Sequence, residues 1–194
     1  MTYSPLMPTY STRARIALSL LAAAGLAATA IVASPIASAA TNPAKYEKAQ
    51  VGLTYTVYAP NTSIELKSSS FQLMDCGGGK DEQLIASFGS QMSNSGWINL
   101  NESQTGCEDG PDGVGLVAKF TVKGATATIM GSCKGGNSSC SKSNPALLRK
   151  GSGYTTVTLP AGSSALKSTF VEVYTAGMSV KDIKAFVTGL KPVQ

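Results

Sequence analysis

Histidine is absent from all 194 residues. That count removes a Ser–His–Asp triad, a Cys–His dyad, a zincin helix and every His-ligated metal centre. Chemistry would have to come from carboxylates, cysteines, serines and lysines. Asp75, Asp81 and Glu82 flank Gly77-Gly78-Gly79 around Cys76, and paired carboxylates can act as acid and base on a glycan. No aromatic cluster accompanies them, and Trp97 is the only tryptophan. Glu108, Asp109 and Asp112 gather on a Gly/Pro turn beside Cys107, as oxygen ligands of calcium would. The order of EF-hand ligands is missing, however, and Asp-Gly and Pro-Asp-Gly are equally the chemistry of a plain turn. Gly77 to Lys80 fails as a phosphate loop, because Met74 stands where the earlier glycine belongs and Asp81 replaces the hydroxyl residue. Ser139–Lys142 and Ser164–Lys167 have a Ser-x-x-Lys spacing, but both fall in predicted loops. The expectation is a non-enzyme with no cofactor and no metal.

Four cysteines, Cys76, Cys107, Cys133 and Cys140, are an even set in a chain that reads as exported. Of the three pairings, Cys76–Cys107 and Cys133–Cys140 are favoured because each stays within a local segment. In the chain-entropy model these loops contribute about 3.7 and about 2.5 kcal/mol. A four-cysteine zinc site is the rival, but neither pair has the short spacing of a zinc ribbon.

The export reading rests on residues 1–39. Arg13 and Arg15 lead an Ala/Leu-rich stretch from Ile16 to about Val32, and Ala37-Ser38-Ala39 places small residues at −3 and −1. A secreted domain over residues 40–194 is expected, with an uncleaved anchor as the alternative. Beyond Ala40 no apolar run approaches the ~20 residues of a spanning helix, so no transmembrane segment is expected there.

Charge is uneven along that domain. Residues 40–112 hold four lysines and nine acids, whereas residues 113–194 hold nine lysines and Arg149 against Glu172 and Asp182. Lys134, Arg149, Lys150 and Lys167 are candidate contacts for an anionic polymer, lipid or protein. The alternative is that the two halves pack together and their fields cancel. One arginine in the secreted part argues against nucleic acid as a partner.

The elements that must position these groups are mostly strands. Val51, Leu53, Tyr55 and Val57 alternate, predicting a strand over 51–58 that ends at Pro60. Further strands are predicted over 70–74, 83–88 and 97–100. Gly115–Val122 and Ala125–Met130 flank Lys123-Gly124, a hairpin connection of two residues. Residues 134–144 read as a tethered loop, 145–150 as one helical turn, and 154–159 and 169–174 as the last strands. At the end Ser179 can cap a helix, with Asp182 three residues on and Met178 placed to staple against Ile183. Val180, Ile183, Phe186, Val187 and Leu190 share one stripe, and Pro192 is expected to stop the helix. The fold class is therefore α+β: an antiparallel β-sheet with a C-terminal helix packed on it.

Thr56-Val57 to Leu66-Lys67-Ser68 recurs as Thr156-Val157 to Leu166-Lys167-Ser168, with a proline at 60 and 160 and a Phe-centred strand after each copy. Duplication and shared hairpin chemistry both explain it. The opening strand with its proline turn, the hairpin before Cys133, and the closing Ser179-x-x-Asp182-Ile183-x-x-Phe186-x-x-Gly189-Leu190 resemble an uncharacterised exported domain found with anti-sigma factors. Its relatives look like lipoprotein-sorting and envelope-stress-sensor proteins. The resemblance implies a non-catalytic domain that binds a lipid, wall polymer or protein. A second expectation comes from Cys133-Lys134-Gly-Gly-Asn-Ser-Ser-Cys140, whose clamp would suit a substrate-like protease inhibitor by lowering the ordering cost of binding.

Overall fold

A computed structural model describes residues 42–61, 66–76, 82–90, 96–107, 113–134, 140 and 148–193. It opens with helix α1 (Pro43–Gln50) and continues with strands β1 (Tyr58–Pro60), β2 (Ser68–Met74), β3 (Gln83–Gly89), β4 (Trp97–Ser103), β5 (Val114–Val122), β6 (Ala125–Cys133), β7 (Leu148–Leu159) and β8 (Thr169–Ala176). Helix α2 (Val180–Thr188) and strand β9 (Leu190–Pro192) complete the set.

Seven strands form one antiparallel sheet in the order β2-β3-β4-β8-β7-β6-β5. Two meanders, β2–β4 and β5–β8, are joined where β4 pairs with β8, from Trp97 opposite Ala176 to Ser103 opposite Phe170. The strands of the acid-rich stretch 40–112 and of the base-rich stretch 113–194 are therefore the two wings of one sheet. Period-two alternation sorts the side chains. Leu84, Ala86 and Phe88 of β3, Ile98 and Leu100 of β4, and Val171 and Val173 of β8 all face the core.

α2 covers that face as expected. Ser179 accepts a hydrogen bond from the Asp182 backbone N–H at 3.1 Å, and Ile183, Phe186 and Val187 are buried. Phe186 meets Phe88 edge to face at 5.9 Å, and the Lys184 ammonium lies over the Phe120 ring. Ser179→Ala removes the cap and should cost about 1 kcal/mol, read as a lower urea midpoint with an unchanged slope.

The β5–β6 connection forms as predicted. Lys123 and Gly124 have φ of 49° and 80°, the double positive-φ signature of a type I′ turn. At the other end of β6 the register jumps from Gly131–Gly153 to Ser132–Arg149, so β7 bulges. Gly153 makes this bulge by close approach: a Cβ there would sit 2.0 Å from the Met130 carbonyl oxygen.

Four local expectations are corrected. Residues 51–57 are not a strand; they follow α1 through a turn, and only Tyr55 makes a bridge, with Lys167. Tyr55, Thr56, Val57 and Tyr58 are all buried, so the second half of this segment turns neither side to water, while Val51 and Thr54 are exposed. Its backbone is held by side chains: the Gln50 carboxamide accepts from the Val57 N–H at 2.7 Å and donates to the Tyr55 carbonyl at 2.9 Å. Second, Leu148–Lys150 are strand, not a helical turn, because Leu148 and Arg149 pair with Cys133 and Ser132; residues 145–147 lie outside the described residues. Third, the last helix stops at Gly189, and Leu190–Pro192 pair with Tyr58–Pro60 as a two-stranded sheet. Fourth, the two echo copies do not share a hairpin plan. The second leads from β7 to β8, while β1 pairs with β9 and β2 with β3. Instead the copies touch each other: Thr56 N–H donates to the Lys167 carbonyl, and Thr56 Oγ1 accepts from the Gly162 N–H.

Both disulfides pair as favoured. Cys76–Cys107 and Cys133–Cys140 have Cα separations of 5.3 and 5.4 Å, within the ordinary range.

Candidate functional site

Among the described residues, a groove with the shape of a binding site lies between α1 and β2. It measures about 460 Å³ and is lined by Lys45, Lys48, Ala49, Phe71, Gln72 and Leu73. That volume is within the range that small-molecule and peptide sites occupy. Lys45, Lys48 and Ala49 fall at i, i+3 and i+4, so the helical period puts them on one side of α1. Phe71 and Leu73 alternate on the core side of β2, opposite Ala86 and Leu84. Gln72 points to the other side of the sheet, so its part in the lining brings the groove to the strand's outer edge.

α1 is placed by aromatic packing. Tyr46 is buried and meets Phe71 edge to face at 4.9 Å. Behind it lies a carboxyl group in the core. Glu102 is the third core-facing residue of β4 after Ile98 and Leu100, and it is fully buried. One carboxyl oxygen accepts from the Tyr58 N–H at 2.9 Å, while the other, Oε1, is buried with no hydrogen-bond partner among the described residues. Burial pushes the Glu102 carboxyl well above the usual carboxylate range, opposed by the Tyr58 N–H bond. Burial likewise raises the Tyr46 and Tyr58 phenols, with Glu102 adding in the same direction. Tyr55 closes the cluster: its hydroxyl donates toward the Glu82 and Glu102 carbonyls and accepts from the Leu84 N–H. The cluster anchors the 55–58 segment to the ends of β3 and β4. It lies behind Tyr46, the α1 residue that meets Phe71, and so supports one wall of the groove.

None of the residues chosen from the sequence lines this groove. Lys134, exposed, and Arg149, exposed, share the sheet end marked by the Cys133–Leu148 pair. Lys150 follows on β7. Lys167 sits past the opposite end of that strand, exposed, its backbone bonded to Thr54 and Thr56. Twelve residues of β7 at ~3.3 Å each put roughly 30–40 Å between the two ends, so these four do not form one patch. Asp75 and Glu82 are exposed at facing ends of β2 and β3. Asp81, Glu108, Asp109, Asp112, Ser139, Lys142 and the inhibitor loop 135–139 lie outside the described residues. Among the described residues no three His, Cys, Asp or Glu side chains gather as metal ligands, and no helix is long and apolar enough to cross a membrane.

Sequence reasoning missed Lys45 and Lys48, which carry no signal until α1 docks beside β2. Glu102 did carry one: continuing the alternation of Ile98 and Leu100 puts an acid in the apolar phase. No family model, curated protein or solved structure matches this chain.

Proposed function

We propose that the chain is a secreted, non-enzymatic binding domain, stapled by two disulfides, whose ligand seat is the groove between α1 and β2. One observation carries the reading: the groove joins an apolar floor of Ala49, Phe71 and Leu73 to two cationic side chains, Lys45 and Lys48. That combination suits a partner with both apolar and anionic groups. The sequence supports export through residues 1–39, and the resemblance to exported domains found with anti-sigma factors points to binding over catalysis.

Mass spectrometry on the protein recovered from its own secretion tests this. The denatured mass should begin near Ala40 and lack four thiol protons. The native spectrum should show an adduct that denaturation removes and that the Lys45→Ala, Lys48→Ala variant lacks. A wild-type protein recovered bare, or an adduct retained equally by the variant, overturns the groove as the seat.

A further inference from the structure

The groove has a second property that an amphiphile would not use. β2 is an outermost strand of the seven-stranded sheet, so its far edge presents backbone N–H and C=O groups to no other strand among the described residues. Such an edge is a template for one more strand. Natural edges are blunted by charge, proline or brevity; Ser68–Met74 has seven residues, none charged and none proline. The exposed large apolar side chains of the described chain are Val51, Leu73 and Met74, at 89, 40 and 38 %. Leu73 lines the groove, Met74 follows it at the end of β2, and Val51 is the C-cap of α1. The walls, the backbone edge and the two lysines converge on one place.

Resting on the proposed binding role, we propose that the occupant is an extended acidic peptide that adds to the edge of β2 as an eighth strand, under the flank of α1. Its backbone completes the ladder, which gives affinity without sequence demands. Alternate side chains point to the two sides of the added strand. Those on the core side rest on Phe71, Leu73 and Ala49. Asp or Glu at the helix side faces Lys45 and Lys48, which sets sign and steers association. A lipid would satisfy the lysines and the apolar floor but leave the edge of β2 unpaired, so the peptide is the better match.

The test uses the full secreted protein with its disulfides intact. The probe is a synthetic heptapeptide alternating Glu and Val, with N- and C-termini blocked, titrated by fluorescence anisotropy at low salt. Binding is expected, falling about ten-fold or more in Lys45→Glu, Lys48→Glu. Lys123→Glu, Lys191→Glu, with the same net charge and exposed sites elsewhere, should bind as the wild type does. N-methylating the peptide one residue at a time should abolish binding at every second position, because an added strand uses alternate N–H groups toward its neighbour. Uniform tolerance of N-methylation, or equal binding by both charge variants, overturns strand addition, as does the absence of binding. A parallel arm with phosphatidylglycerol vesicles separates the two levels. Vesicle binding lost in Lys45→Glu, Lys48→Glu, without peptide binding, overturns the peptide and leaves the groove as a lipid seat. Binding to neither probe, with bare protein in the native spectrum, overturns both.

Discussion

Phe186→Ala is expected to lower the unfolding free energy by about 3–5 kcal/mol, the largest loss from any single truncation considered. The ring is fully buried, sits at the centre of the α2 stripe between Ile183 and Val187, and meets Phe88 edge to face. Alanine would forfeit the transfer free energy of the ring, leave a cavity between helix and sheet, and delete an aromatic pair worth about 0.5–1.5 kcal/mol. The sheet beneath cannot move up to fill the space, because β3, β4 and β8 are cross-linked by their ladders. Against a total stability of about 5–15 kcal/mol for a domain, this approaches the limit of folding. Urea unfolding followed by circular dichroism reads it, with exposed Lys181→Ala as a control expected to stay within about 0.5 kcal/mol. A loss below about 1 kcal/mol would mean that α2 is not seated on the sheet.

Glu102→Gln should do the opposite at neutral and alkaline pH. Burial raises this carboxyl well above the usual range in the folded protein, whereas the unfolded chain releases the proton near pH ~4.3. Between those two values the native state binds the extra proton, so stability falls as pH rises. The contribution is complete below pH ~4.3 and is lost up to the folded value, at most about 1.4 kcal/mol per pH unit. Glutamine preserves the oxygen that accepts the Tyr58 N–H bond and cannot ionise. The variant should therefore match the wild type near pH 4 and exceed it increasingly as pH rises above ~4.3 toward the raised folded value. Urea midpoints at three pH values check this, since the other carboxyl groups contribute equally to both proteins. Parallel profiles would mean that the Glu102 carboxyl is ionised in the folded protein.

The two predictions touch the same architecture from opposite ends. Phe186 secures the C-terminal cover of the sheet, and Glu102 sits under the N-terminal cover. The N-terminal cover also forms one wall of the groove, through Tyr46 and Phe71. A substitution that loosens the Glu102 cluster is thus expected to widen or close the groove without touching its lining.

The strands over 83–88, 97–100, 115–122, 125–130, 154–159 and 169–174 were legible because alternation is written in residues two apart, and a half-buried sheet needs nothing else. The α2 cap was legible for the same local reason: Ser179 and Asp182 are three residues apart and bond each other directly. The cysteine pairing followed from short loops. α1 was not legible, since its eight residues bury only Tyr46 and Ala49 and carry no apolar stripe. The alternation of residues 51–57 was real but misled, because Leu53, Tyr55 and Val57 are buried without a neighbouring strand to pair with.

By itself, then, the sequence determined most strands of the large sheet, the capped start of α2, both disulfides and the exclusion of histidine chemistry, since each depends on composition or on residues near one another in the chain. Tertiary structure alone decided that β4 joins β8, that Lys134 and Lys167 stand at opposite ends of the sheet, that Glu102 loses its solvent, and that α1 meets β2 through Tyr46 and Phe71. Those facts depend on which distant segments meet. The physical reason is that burial, a strand edge and a groove belong to pairs of elements, and no single stretch of chain carries the pair.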